Sequence, residues 1–339
     1  MVARAPALYD ALAAALGPRA ARHAPLGSMT TYGVGGPAAV LVEIEGPGDL
    51  GPVRAVLAGS GVPVCIVGRG SNLLVADAGF DGVAVHLGRG FTWAQFPASE
   101  QFRPPEQFPA PGSRESPTYV VRTGASTPLP VVARQAAEGG WTGLTWAVGV
   151  PGSVGGAVRM NAGGHGADMA GCLLRYTWVD LLGDAGGTDD VARLRYGYRS
   201  SSVGAAELVV EAELAVTPGD AQVEQTALSS IVRWRRHHQP GGSNAGSVFT
   251  NPPGDPAGKL IEAAGLKGYR LGTAHVSEKH ANFIQAEKGG RADDVRALME
   301  HVRRQVLAQC GVSLSAEVRL LGFEEGETGA MVTAEVRGQ

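Results

Sequence analysis

Two clusters of glycine and serine carry the most distinctive chemistry of this sequence. Gly68-Arg69-Gly70-Ser71-Asn72 and Gly149-Val150-Pro151-Gly152-Ser153-Val154-Gly155-Gly156 each follow an apolar run and offer bare backbone N–H groups and hydroxyls. Successive N–H groups in a tight loop make a concavity for anions. Two such loops suit a ligand with two phosphates gripped from two sides. The second cluster runs on into Ala157-Val158-Arg159-Met160-Asn161-Ala162-Gly163-Gly164. Residues this small let a large planar ligand approach the backbone. A dinucleotide fingerprint is not met, because no G-x-G-x-x-G opens a helix, and 254–260 lacks the spacing of a P-loop.

Outside the glycine clusters, three polar residues stand in constrained settings. Arg199, in Gly197-Tyr198-Arg199-Ser200-Ser201, precedes a strand-like run and reads either as a solvated cation or as a catalytic one. Ser247 offers a hydroxyl within Asn244-Ala245-Gly246-Ser247-Val248-Phe249-Thr250-Asn251-Pro252, but no G-x-S-x-G marks it as a hydrolase nucleophile. Glu317 lies opposite the alternating Leu314, Ala316, Val318 and Leu320, on the face of Ser315 and Arg319. Taken alone it is an outward strand carboxylate. The run Arg233-Trp234-Arg235-Arg236-His237-His238 is either a helix end favoured by the macrodipole or a phosphate clamp. No histidine pair has carboxylates at ligand spacing, so no metal site is expected.

These residues must be positioned by an α+β chain. Short β-type runs at 38–44, 62–67, 73–76, 83–87, 119–122, 176–180 and 208–216 fill the first two thirds. Leu8, Leu12 and Leu16 predict a short N-terminal helix, too broken by Asp10 for a signal peptide. A further helix is predicted over 128–138, with Thr127 as cap, Pro128 in the first turn and Gly139 as stop. From about 219 the period becomes helical, through Val223, Leu228, Ile231 and Val232, then Val295, Leu298, Met299, Val302 and Val306. Strand-like runs at 282–286 and 317–323 complete this part, and Thr217-Pro218-Gly219 marks a boundary. The proline-rich stretch 88–117 has no periodicity and reads as a surface excursion between strands.

Composition narrows the function classes. Lys and Arg number 29 against 32 Asp and Glu, which leaves no basic footprint for nucleic acid. The 50 glycines are about twice the usual share of roughly 7% and point to many tight turns. Cys65, Cys172 and Cys310 fit no zinc or redox spacing and read as reduced thiols of a cytoplasmic protein. No apolar run reaches the length of a membrane span.

In this order, Thr30-Thr31-Tyr32-Gly33-Val34-Gly35-Gly36-Pro37, GRGSNLL from Gly68, GVPGSVGGAVRMNAGG from Gly149, GYRSS from Gly197, AGSVFTNP from Ala245, AGLKG from Ala264, VSEKHANFI from Val276 and AEVRLLG from Ala316 resemble the UDP-N-acetylenolpyruvoylglucosamine reductase family, in its compact type. Any one of these segments is weak, and eight in order are specific. The resemblance implies a FAD-binding fold of the vanillyl-alcohol oxidase/PCMH type, in two subdomains, plus a C-terminal α+β substrate-binding domain. The boundaries it suggests are 1–87, 88–218 and 219–316, with 317–339 returning to the first subdomain. Noncovalent FAD is implied, since Ser71 stands where many covalent relatives of that fold carry His, with NADPH as co-substrate and UDP-N-acetylglucosamine enolpyruvate as substrate. A monomer is expected.

By the same resemblance Ser247 is the proton donor, Arg199 stabilises the developing negative charge, and Glu317, protonated or paired to Arg199, assists it. Gly68, Arg69, Gly70, Ser71, Asn72, Gly149, Val150, Pro151, Gly152, Ser153, Gly155, Gly156, Ala157 and Asn161 would hold FAD. Tyr198, Asn251, Lys279 and His280 would hold substrate. The chain departs from the family pattern at Ala316, where Pro is common, at Met29, where Asn is common, and at 236–238, where some relatives carry a Lys of the diphosphate clamp. The alternatives are another FAD enzyme of this fold that oxidises an alcohol or lactone, and a nonenzymatic nucleotide binder; neither needs Arg199, Ser247 and Glu317 together.

Overall fold

The structure, a computed structural model, describes residues 5–97 and 118–323. Most of the 88–117 excursion and the part of 317–339 beyond Phe323 therefore lie outside the described residues. The chain divides into two compact units, one of Met1–Val42, Val62–Val85 and Arg236–Gln339, the other of Glu43–Gly61 and His86–Arg235.

In the first unit, strands Ala20–Ala24, Ala38–Ile44, Phe80–Leu87 and Val64–Val67 form one sheet in that spatial order, and the unit boundaries fall inside the second and third of them. Ala38, Val40, Val42 and Ile44 alternate inward, as a strand half-buried on one face demands. A short parallel pair joins Leu73–Val75 to Arg319–Leu321, from the other end of the described chain. Three antiparallel strands, Arg270–Leu271, Ala274–Val276 and Ile284–Ala286, pack with helix Ala292–Cys310. That helix buries Val295, Leu298, Met299, Val302 and Val306, each side chain contributing about 1.5–3 kcal/mol. Its stripe joins a core that also holds Tyr32, Ala245, Val248, Phe249, Leu314 and Val318.

The second unit centres on an antiparallel sheet ordered Gly186–Asp190, Leu173–Asp180, Glu207–Pro218, Tyr119–Gly124 and Ala94–Gln95. Helix Leu129–Glu138 buries Leu129, Val132, Ala133, Ala136 and Ala137 and stops at Gly139. Pro128, rather than Thr127, is its N-cap residue. The Thr127 hydroxyl donates to the Trp93 carbonyl at 2.8 Å and accepts from the Trp93 N–H at 2.9 Å, so it ties two segments together instead of capping. Helix Ala221–His238 also departs from the predicted stripe. Val223 is 62% exposed, while Glu224 and Leu228 turn inward. Asp220 caps the helix start by accepting the N–H groups of Gln222 and Val223. Burial raises the pKa of Glu224 from its ordinary value, against a hydrogen bond from Thr142.

Helix Ala292–Cys310 has no cap from its own N-cap residue, Arg291. Its first N–H groups go instead to Asp77, with Ala292 donating to Oδ1 at 2.9 Å and Asp293 to Oδ2 at 3.3 Å. Arg291 adds an ion pair to the same carboxylate at 3.4 Å. A capping side chain usually contributes about 0.5–2 kcal/mol. Asp77→Ala should therefore lower unfolding stability by about 1–2 kcal/mol in urea denaturation, whereas Asp77→Asn, which keeps an acceptor, should lose less.

Candidate active site

In the first unit, the loop 68–72 connects strands Val64–Val67 and Leu73–Val75. Gly70 adopts φ +62°, and a Cβ there would lie 2.5 Å from the Met29 carbonyl oxygen and 2.6 Å from Thr30 Cα, so no larger residue fits. The Gly70 carbonyl accepts from the Thr31 N–H at 3.1 Å. The backbone N–H groups of Gly68, Arg69, Gly70 and Ser71 have no acceptor among the described residues. They form a nest suited to an anionic group, and a flavin nucleotide's pyrophosphate fits that donor set.

Asn72 closes the loop and reaches the far end of the chain. Its side-chain amide donates to the Glu317 carbonyl at 3.1 Å, and its own carbonyl accepts from the Arg319 N–H at 3.0 Å. The Glu317 N–H in turn donates to the Val248 carbonyl at 2.8 Å, and Thr250 N–H donates to the Ser315 carbonyl at 2.9 Å. Ser247 thus sits one residue from an atom bonded to Glu317. Both residues are half-buried. Ser247 follows Gly246, whose φ of +78° turns the chain, and the Gly246 N–H donates to Asn244 Oδ1 at 3.0 Å. Among the described residues the Ser247 hydroxyl has no hydrogen-bond partner.

The residues expected to meet substrate have internal duties in this unit. Asn251 Oδ1 accepts from the Ala257 N–H at 3.0 Å and so caps helix Ala257–Ala263. Lys279 Nζ donates to the Arg236 carbonyl at 2.5 Å. His280 Nδ1 accepts from the Asn282 N–H at 3.2 Å, and its ring lies 4.8 Å from that of Phe283. Asn282 opens the strand-like run expected at 282–286. The strand begins later, at Ile284, and the Asn282 side chain is buried against Phe249, donating to its carbonyl at 2.8 Å and accepting its N–H at 3.0 Å. No local period in the sequence signals this pairing, which joins a side chain to backbone 33 residues away.

In the second unit, the second glycine cluster is mostly spent on its own fold. The Val154 N–H donates to the Thr127 carbonyl at 2.9 Å and the Gly155 N–H to the Ala125 carbonyl at 2.8 Å. Ser153 caps helix Val154–Met160, accepting from the Gly156 N–H at 3.4 Å. The helix ends at Asn161, which is left-handed at φ +42° and 5% exposed. Asn161 Oδ1 accepts from the Ala170 N–H at 2.9 Å, and its Nδ2 donates to the Gly197 carbonyl at 3.1 Å. That second bond leads to Arg199. Arg199 is itself left-handed at φ +53°, a conformation costing about 1–2 kcal/mol in a residue with a Cβ. Its guanidinium donates to the carbonyls of Gly163 at 2.7 Å and Asn161 at 3.4 Å. Tyr198 stands exposed beside it, ring centroid 5.2 Å from Arg199 Cζ. The structure thus joins Ser247, Glu317 and the first loop in one unit, and Arg199, Asn161 and the second cluster in the other.

Comparison with known proteins decides the family. The model for the UDP-N-acetylenolpyruvoylglucosamine reductase C-terminal domain matches residues 238–321, and that for a FAD binding domain matches 112–185. A UDP-N-acetylenolpyruvoylglucosamine reductase from Heliobacterium modesticaldum is 38% identical over 311 residues, 89% of this chain and 91% of its own. The chain belongs to the UDP-N-acetylenolpyruvoylglucosamine reductase family. A second relative, from Symbiobacterium thermophilum, is 39% identical over 90% of this chain and 92% of its own. The crystal structure of the reductase from Thermus caldophilus is 32% identical, covers 88% of this chain and 98% of its own, and aligns with a TM-score of 0.70. These findings favour the reductase over an alcohol or lactone oxidase. Among the described residues, no helix is long and apolar enough to cross a membrane.

Burial lowers the pKa of His280 from its ordinary value, and the charge of Lys267 lowers it further. The folded state therefore prefers the neutral ring, and the unfolded chain binds the proton more readily. This contribution to stability is full above the ordinary pKa of about 6.5 and is lost as pH falls below it. Urea midpoints at neutral and mildly acidic pH should show a smaller acid decline in His280→Gln than in the parent protein; equal declines would assign the loss to other groups.

Proposed function

We propose that this protein reduces the enolpyruvyl ether of UDP-N-acetylglucosamine enolpyruvate to UDP-N-acetylmuramate, in the cytoplasm and as a monomer, for the peptidoglycan synthesis on which cell shape and division depend. FAD is its noncovalent cofactor and NADPH its co-substrate. Residues 68–72 and the second glycine cluster hold the flavin nucleotide. FAD held there would supply the hydride chemistry that links NADPH to the terminal carbon of the enolpyruvyl group.

Addition of hydride leaves negative charge at C2 that spreads into the adjoining carboxylate. Arg199 offers a fixed guanidinium for that charge, and a donor set in place beforehand costs no reorganisation during reaction. The left-handed backbone and the bonds to Gly163 and Asn161 support such a role. Ser247 donates its hydroxyl proton to C2 and recovers one from solvent, so the substrate gains one hydride and one proton in all. A hydroxyl is a weak acid, yet C2 is a strong base at that point, and placement decides the rate. Glu317 assists, either protonated or paired to Arg199 during turnover, since an uncompensated carboxylate would repel the substrate's own. Tyr198, Asn251, Lys279 and His280 contact substrate.

The observation that carries this reading is the bond from Glu317 N–H to the Val248 carbonyl, which sets the expected acid and its partner on adjoining backbone next to the first glycine loop. Ser247→Ala should leave flavin reduction by NADPH unchanged and slow flavin reoxidation by UDP-N-acetylglucosamine enolpyruvate by about 10²–10⁴-fold. Unchanged steady-state turnover in that variant would refute the assignment of Ser247.

A further inference from the structure

The peptide segment that follows Ser247 has almost every backbone group engaged, and much of this is the doing of a single side chain. Asn282 is 3% exposed and Phe249 1%. The asparagine amide treats Phe249 as a neighbouring strand would, accepting its N–H at 3.0 Å and donating to its carbonyl at 2.8 Å. The Asn282 carbonyl accepts the Val248 N–H at 2.8 Å, and the Val248 carbonyl is left for Glu317. No β-ladder could do this here, because Asn282 lies ahead of the strand Ile284–Ala286 and Phe249 makes only an isolated bridge, to Ala316. The Asn282 N–H is in turn held by His280 Nδ1. Ser247 therefore enters a clamp in which the backbone of its next two residues is held by hydrogen bonds on both sides.

We propose that Asn282 is a positioning residue for proton delivery, acting through the Phe249 backbone to hold the Ser247 hydroxyl where C2 of the substrate will need it. The proposal rests on the reading of Ser247 as proton donor. Misplacement of a reacting group by about 1 Å can cost about 10²-fold in rate, and a side chain that loses two buried backbone partners allows shifts of that order. Asn282→Ala removes both bonds. Asn282→Asp keeps the acceptor for the Phe249 N–H and turns an oxygen toward the Phe249 carbonyl.

The test uses the flavin-loaded enzyme and separates the two half-reactions by anaerobic stopped-flow. In both variants flavin binding and reduction by NADPH should match the parent, while reoxidation by UDP-N-acetylglucosamine enolpyruvate slows by about 10- to 100-fold. Hydrogen exchange at the Phe249 amide should quicken in Asn282→Ala. In a Ser247→Ala background the same substitutions should change reoxidation by less than about twofold, because residues acting on one proton are not additive. Equal slowing of both half-reactions, loss of flavin from both variants, or full additivity with Ser247→Ala would overturn the proposal by showing a general structural role. If Ser247→Ala alone leaves reoxidation untouched, the proton-donor reading itself falls, which is a different failure from additive losses in an otherwise slow Ser247→Ala enzyme.

Discussion

The first unit depends on the hydrogen bonding around Glu317. Its N–H is given to Val248 and its carbonyl receives the Asn72 amide, so a residue near the end of the described chain is fixed by the first glycine loop and by the Ser247 turn. Each bond is worth only about 0.5–1.5 kcal/mol net. Their value is geometric. The parallel pairing of Arg319–Leu321 with Leu73–Val75 carries the same register forward, and the Val318 and Leu314 side chains anchor it in the core with Val248 and Phe249. A nest of N–H groups with no acceptor among the described residues, a hydroxyl and a carboxylate are thereby set on one framework.

The second unit reaches an equivalent end by a different device. Its glycines serve less as free donors than as room for close packing, with Gly155 bonded to Ala125 and a short helix capped by Ser153. Asn161 then does for Arg199 what Asn72 does for Glu317, spending its amide on backbone groups distant in sequence. Two consecutive obligations, a left-handed Asn161 and a left-handed Arg199, hold the guanidinium against carbonyls of the glycine cluster. Positive φ at residues with a Cβ persists only where surrounding bonds over-determine it.

What the sequence revealed and what it hid divide along physical lines. Alternation over 38–44 and the helical stripe from Val295 to Val306 were legible because each is a local period facing one core. The order of eight short segments disclosed the family, since glycine and polar turns must recur where backbone approaches a ligand. The register of helix Ala221–His238 was not legible, because Glu224 turns inward to a hydrogen bond with Thr142 against the hydrophobic expectation. Neither was the Thr127 bond to Trp93, nor the cap that Asp77 lends to helix Ala292–Cys310, nor the clamp of Asn282. Each joins a side chain to backbone far along the chain, and such pairings leave no period to detect.

The proposed function has these loops hold FAD, which would supply the hydride chemistry between NADPH and an enolpyruvyl ether. An anaerobic absorbance titration of the purified protein addresses it most directly. The protein should carry a yellow flavin that NADPH bleaches and UDP-N-acetylglucosamine enolpyruvate restores in equimolar amount. A colourless protein that cannot be reconstituted with FAD, or a bleached flavin indifferent to that substrate, would contradict the account.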